Sequence, residues 1–106
     1  MPTPHEHPRV LTVSPKELLI LSLLADGEER YGLQLVDASA GALKRGTIYV
    51  TLGRMEEKGY VASRQEEPPP GAGGMPRRLY ACTALGRRMH AAWTQGQPRL
   101  IPEVAR

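Results

Sequence analysis

The chain has 106 residues, with 11 Gly, 10 Pro, one Trp, four Tyr and no Phe, and a formal net charge of +3. That length fits one domain, and a domain of this size hides only about 60–65% of its unfolded surface, so association with a second copy is expected. The single Cys82 excludes an internal disulfide framework and a four-cysteine zinc site, and the longest apolar run, residues 18–25, is broken by Ser22 and falls far short of the roughly 18 residues of a membrane span.

The opening stretch MPTPHEHPR has neither a basic start nor an apolar segment, so no secretory signal is read. A soluble, cytoplasmic protein with no membrane partner is expected. Proline is absent from residues 16–67, and because proline removes an amide donor and clashes inside helices, that interval is where a helical body can lie. Ser14-Pro15-Lys16-Glu17 predicts a helix start, with Ser14 as cap, Pro15 at the first helical position and Glu17 closing a capping box. Leu18, Leu21 and Leu24 or Ala25 follow at helical spacing, with Leu19, Ile20 and Leu23 widening the apolar face and Gly27 as a stop. A second short helix is read from Tyr31 to about Ser39, burying Leu35 and Ala38 and ending at Gly41. A third runs from about Arg45 to Lys58, with Ile48, Leu52 and Met55 on its buried side and Gly59 as its C-terminal stop.

Two short strands follow, residues 60–65 (YVASRQ) and 77–83 (RRLYACT), joined by a loop too long for a tight hairpin. Thr83 then caps a fourth helix to about Gln95, on which Leu85, Met89, Ala92 and Trp93 form an apolar stripe. Gly96 and Pro98 stop it. Helix, helix, helix, strand, loop, strand, helix is the order of a winged helix-turn-helix, an α+β fold that is mostly α. The chain divides into an arm (residues 1–13), a winged-helix unit (14–83) and a C-terminal dimerisation helix with its tail (84–106).

The segments GTIYVTLGRMEEKGYV, GGMPRRLYACTALGRR and LLILSLLADGEERYGLQL together resemble the PadR transcriptional regulators, over about residues 17–92. MarR-like and ArsR-like repressors share parts of this pattern but not its Gly-Thr-Ile-Tyr opening. The short length resembles the subfamily that keeps one C-terminal helix. The resemblance implies double-stranded DNA as partner and a homodimer formed through the last helix. It places Tyr49 at a DNA-facing position of the third helix and Tyr31 where relatives contact the DNA backbone. Some relatives stack planar ligands on a tryptophan of the last helix, and Trp93 matches that position. A small aromatic effector is therefore one role for Trp93, and a structural anchor at the interface is the other.

Charge is unevenly placed. Residues 1–43 carry three basic and six acidic side chains, whereas residues 44–106 carry eleven basic and five acidic ones. A basic surface favours approach to phosphates through counterion release. On the third helix, Thr47, Thr51, Arg54 and Lys58 line an acid-free strip with Val50 beside it and Glu57 opposite the core. Thr47, Val50 and Thr51 are placed to meet base edges or a thymine methyl. Arg54 and Lys58 are placed for phosphates, with Lys44 and Arg45 just before the helix and Arg77 and Arg78 in the wing. Gly53 in mid-helix is consistent with close approach of DNA or of a neighbouring segment, or with simple tolerance where flanking packing holds the helix.

His5-Glu6-His7 lacks a third metal ligand nearby, His90 reads as a helix surface residue, and Cys82 reads as a packing residue, with a redox sensor as the remote alternative. No Ser/His/Asp set or carboxylate pair stands at catalytic spacing, so neither an enzyme nor a cofactor is expected. The expected function is a ligand-responsive repressor acting as a homodimer on a pseudo-palindromic operator. The alternative is a winged-helix module that binds protein.

Overall fold

A computed structural model describes residues 12–68, 70–71 and 76–95. His5-Glu6-His7, most of the N-terminal arm, the centre of the wing loop, Gly96, Pro98 and the tail lie outside the described residues. The elements run α1 (Pro15–Leu23), β1 (Arg30–Tyr31), α2 (Gly32–Ala38), α3 (Ile48–Lys58), β2 (Val61–Glu66), β3 (Arg77–Cys82) and α4 (Ala84–Thr94).

The start of α1 is the capping box read in the sequence. Glu17 donates its amide to Ser14 Oγ at 3.1 Å, and the Ser14 amide donates to Glu17 Oε1 at 2.9 Å, which satisfies two amides that the first turn otherwise leaves without partners. α2 is shorter than expected and its ends differ. Gln34 accepts the Tyr31 amide at 2.7 Å, and Ser39 caps the C-terminus. The Ser39 hydroxyl donates to the Val36 carbonyl at 2.7 Å and accepts the Leu43 amide at 2.9 Å. Ser39, not Ala38, is therefore the buried residue at this end, and Ala38 faces solvent. α3 starts at Ile48, after a turn in which the Lys44 carbonyl accepts the amides of Thr47 and Ile48. It ends at Gly59, whose φ of +86° lies in the left-handed region that favours glycine.

The sheet has three strands in the order β1-β3-β2, both pairings antiparallel. β1 is too short for alternation to show in the sequence, so its pairing with Leu79 and Tyr80 is a tertiary feature. β2 and β3 run in register from Val61 opposite Cys82 to Glu66 opposite Arg77. One core joins the elements. Ile20, Leu21 and Leu24 of the α1 region meet Leu35, Ile48, Leu52, Met55, Tyr60 and Met89, all fully buried. Met89, expected at an interface between copies, is instead a core residue of its own chain. Leu85, Ala92 and Trp93 are partly buried and pack against the same cluster. The stripe on α4 is thus largely covered within the monomer, because α4 folds back onto α1.

The junction of wing and α4 is set by backbone contacts. The Thr83 hydroxyl donates to the Gly59 carbonyl at 2.5 Å and accepts the Gly86 amide at 3.0 Å, so one side chain ties α3 to α4 and caps α4. The Thr83 amide donates to the Tyr60 carbonyl at 3.0 Å. A Cβ at Gly86 would stand 2.1 Å from that same carbonyl oxygen, a backbone atom that cannot move aside. Gly86→Ala is accordingly expected to destabilise the fold by about 3 kcal/mol, at the upper end of overpacking, measured as a lowered urea midpoint.

Candidate nucleic-acid interface

α3 presents a face that the core does not use. At about 100° per residue, Val50, Gly53, Arg54 and Glu57 lie opposite Ile48, Leu52 and Met55, and all four are exposed. Val50 is 57% and Tyr49 49% exposed. Thr47 precedes the helix, exposed and with no side-chain cap bond. Thr51 is partly buried, and its hydroxyl donates back to the Thr47 carbonyl at 3.3 Å.

Two grooves flank this face. One lies between α3 and the start of α1, where Thr12, Ser14 and Lys16 meet Thr47, Val50, Thr51 and Arg54. The other lies between α2, α3 and the wing, lined by Tyr31, Leu33, Gln34, Asp37, Tyr49, Pro76, Arg77 and Arg78. The sequence carried no signal for Leu33, which is 40% exposed, nor for Gly32. A Cβ on Gly32 would meet the Tyr49 ring at 2.6 Å, so the missing side chain lets the Tyr49 ring lie against the first turn of α2. What rests on a glycine is visible only once the chain is folded.

Salt bridges among the described residues take up Arg30, Lys58 and Arg64, and leave Lys44, Arg45, Arg54, Arg77 and Arg78 outside any ion pair. Lys44, Arg45 and Arg54 are exposed. The two wing arginines part company, as strand alternation requires. Arg77 stacks its guanidinium over the Tyr31 ring at 4.9 Å, and Arg78 donates to Ser63 Oγ at 3.0 Å, which in turn donates to Glu56 at 2.7 Å. The Tyr31 hydroxyl donates to Glu66. That hydrogen bond raises the phenol above its ordinary pKa, with burial and the Glu66 charge adding to it, and keeps the hydroxyl a donor. Arg64 grips Glu29 through two hydrogen bonds of 2.7 Å. This contact holds the Glu29 carboxyl below its usual range, chiefly through the hydrogen bonds. The wing is thereby tied to the N-terminal end of α2.

Lys58 is a correction. Its ammonium lies 3.0 and 2.9 Å from the two oxygens of Glu17 and 3.3 Å from the Thr12 carbonyl, with the Tyr60 ring at 5.5 Å. Glu17 is only 3% exposed, and a buried carboxylate needs a paired cation. Lys58, which stays partly exposed at the edge of the first groove, is therefore held by Glu17 and does not stand free for phosphate as the sequence suggested. Cys82 is partly buried beside the Gly86 backbone, and burial pushes its thiol above the ordinary value despite the nearby Arg87. Among the described residues no three His, Cys, Asp or Glu side chains stand together as a metal site, and no helix is long and apolar enough to cross a membrane.

Three helices, a close-packed pair α2–α3 and a β2–β3 wing define a winged helix-turn-helix, with α3 in the position of the reading helix. The family model of the transcriptional regulator PadR-like family matches residues 20–92, and the chain belongs to that family. A PadR family transcriptional regulator from Eggerthella lenta is 30% identical, with 74% of this chain and 67% of that one covered and a TM-score of 0.63. A PadR family regulator from Clostridium difficile is 29% identical over 82% of this chain and 90% of that one, with a TM-score of 0.63. Bacillus subtilis PadR, solved in complex with operator DNA, shares the fold at 20% identity and a TM-score of 0.67, over 76% of this chain and 46% of that one. No curated protein matches the chain significantly.

Lys58→Ala leaves Glu17 buried without its cation, and is expected to lower unfolding free energy by about 2–3 kcal/mol in chemical denaturation. Burial raises the Cys82 thiol pKa and shields the sulfur, so its alkylation by iodoacetamide should run slower in the native protein than in the unfolded chain at the same pH.

Proposed function

We propose that this chain represses transcription as a homodimer on a pseudo-palindromic operator, each α3 entering a major groove about one helical turn from the other. It acts as a cytoplasmic DNA-binding protein with no catalytic activity of its own. The single observation that carries this reading is the outward face of α3. Its Thr47, Val50 and Arg54 are all exposed, and none of them serves the core. Lys44 and Arg45 before the helix and Arg77 and Arg78 in the wing supply positive charge on either side of it. Tyr31 and Tyr49 face the groove between helix and wing and sit where a DNA backbone would pass. Thr51 adds its methyl beside Val50, its hydroxyl already being engaged.

The dimer is proposed through α4, with Leu85, Ala92 and Trp93 at the contact and Met89 supporting them from the core. The Trp93 indole nitrogen is buried without a hydrogen-bond partner among the described residues, which supports a role for this ring beyond the packing of one chain. A small planar aromatic effector stacking on Trp93 is the means by which DNA affinity would be modulated.

Selection of bound fragments from the source genome yields the operator for testing. Arg54→Ala is expected to weaken operator binding about tenfold and to lower the salt slope by about one. Thr47→Ala should weaken it about fivefold with little change in salt slope, and neither variant should alter the thermal midpoint or the dimer mass. Salt-independent binding of the wild type, together with a stably co-purifying protein, would replace this reading with that of a protein-binding module.

A further inference from the structure

Gly53 is a cost with no return inside the protein. Glycine is the weakest helix former after proline, yet Gly53 stands in the middle of α3 with φ in the ordinary range. A Cβ built there meets nothing within 4 Å among the described residues. Packing, close helix approach and backbone conformation therefore all fail to explain the missing side chain. Val50, one turn earlier on the same outward face, poses the opposite problem, because it is the most exposed large apolar side chain described. A projecting isopropyl group beside a bare stretch of helix makes a knob and a hollow on one surface.

The neighbours decide what fits there. Arg54 follows on the same face and carries an unpaired positive charge, while Glu57 another turn on repels phosphate. DNA is thus held toward the N-terminal half of α3, over Val50 and Gly53. In a B-form major groove the apolar feature on offer to a side chain is the C5-methyl group of thymine. Thr51 does not compete strongly for it, being partly buried.

We infer that Val50 and Gly53 form a thymine-reading notch, in which Val50 contacts the methyl group of one thymine in each half-site and bare Gly53 admits the neighbouring base edge against the helix. The notch rests on the DNA-binding function proposed above and adds to it a base identity within the operator. Glycine serves here because any side chain would hold the helix away from the groove floor.

The test uses the full-length protein and a duplex carrying the genomically selected operator. Each thymine is replaced in turn by deoxyuridine, which removes the methyl group alone, and affinity is read by fluorescence anisotropy. One position in each half-site should lose about fourfold in affinity, the equivalent of one buried methyl group, and Val50→Ala should bind the thymine and uracil duplexes equally. Gly53→Ala should raise the thermal midpoint, as an open helical site predicts, and yet weaken operator binding severalfold. Uniform tolerance of uracil, a uracil loss that persists in Val50→Ala, or unchanged binding by a more stable Gly53→Ala would each overturn the notch while leaving DNA binding in place. Absence of salt-dependent binding to any duplex by the wild type would overturn the DNA-binding function itself and the notch with it.

Discussion

At Gly59 and Tyr60 the chain leaves α3, turns through a left-handed glycine and enters the sheet, and the wing, α4 and the segment before α1 are tied to that turn. The carbonyl of Gly59 accepts the Thr83 hydroxyl, and the carbonyl of Tyr60 accepts the Thr83 amide. Gly86 then packs its backbone onto the same Tyr60 carbonyl. The Tyr60 ring is fully buried while its hydroxyl reaches the Thr12 carbonyl at 2.7 Å. The C-terminal end of α3, both wing strands, the start of α4 and the segment before α1 thus converge on two residues. Because these are backbone and buried hydrogen bonds, they cannot be loosened without exposing unpaired polar groups.

That constraint explains why the outward face of α3 is free to vary in chemistry. The helix is held by Ile48, Leu52 and Met55 in the core and by Lys58 through Glu17, so none of its positioning depends on Thr47, Val50, Gly53 or Arg54. The wing is held separately. Arg64 on Glu29, Tyr31 on Glu66 and Arg77 on Tyr31 attach it to the N-terminal end of α2, so helix and wing are set against a common base. Two surfaces set on a common base with a groove between them suit a ligand that is itself stiff and regular, as duplex DNA is.

α4 plays a larger part in the monomer than its apolar stripe suggests. A small domain has little interior, and Met89 fills part of it. Covering the stripe from within leaves Leu85, Ala92 and Trp93 partly exposed at its margin, a narrower surface than an entire helix face. Of this margin, Leu85 and Ala92 lie within the residues that the family model matches and Trp93 lies just beyond them.

Local signals settled much of the fold from the sequence alone. Ser14, Pro15 and Glu17 define a helix start by short-range hydrogen bonding, Gly59 marks a helix end by its conformational freedom, and Ile48, Leu52 and Met55 declare a buried face by their period. These depend on neighbours within about four residues, which is why they can be read before folding. The outward direction of α3 follows from the same period, as does the separation of Arg77 from Arg78. Of the strip read on α3, however, only Thr47 and Arg54 are exposed, while Thr51 is partly buried and Lys58 is held by Glu17. Long-range partners had no such signal. Whether Lys58 faces phosphate or Glu17, 41 residues away, is decided by which helix ends meet. Whether Met89 lies at an interface or in the core depends on α4 folding back onto α1. The reasons for Gly32 and Gly86 lie in the Tyr49 ring and the Tyr60 carbonyl that approach them, and β1 is a strand only because β3 runs beside it. Sequence determined the helices, the two wing strands and most of their faces; tertiary structure decided which of those faces remained free, because freedom of a side chain depends on what the rest of the chain brings against it.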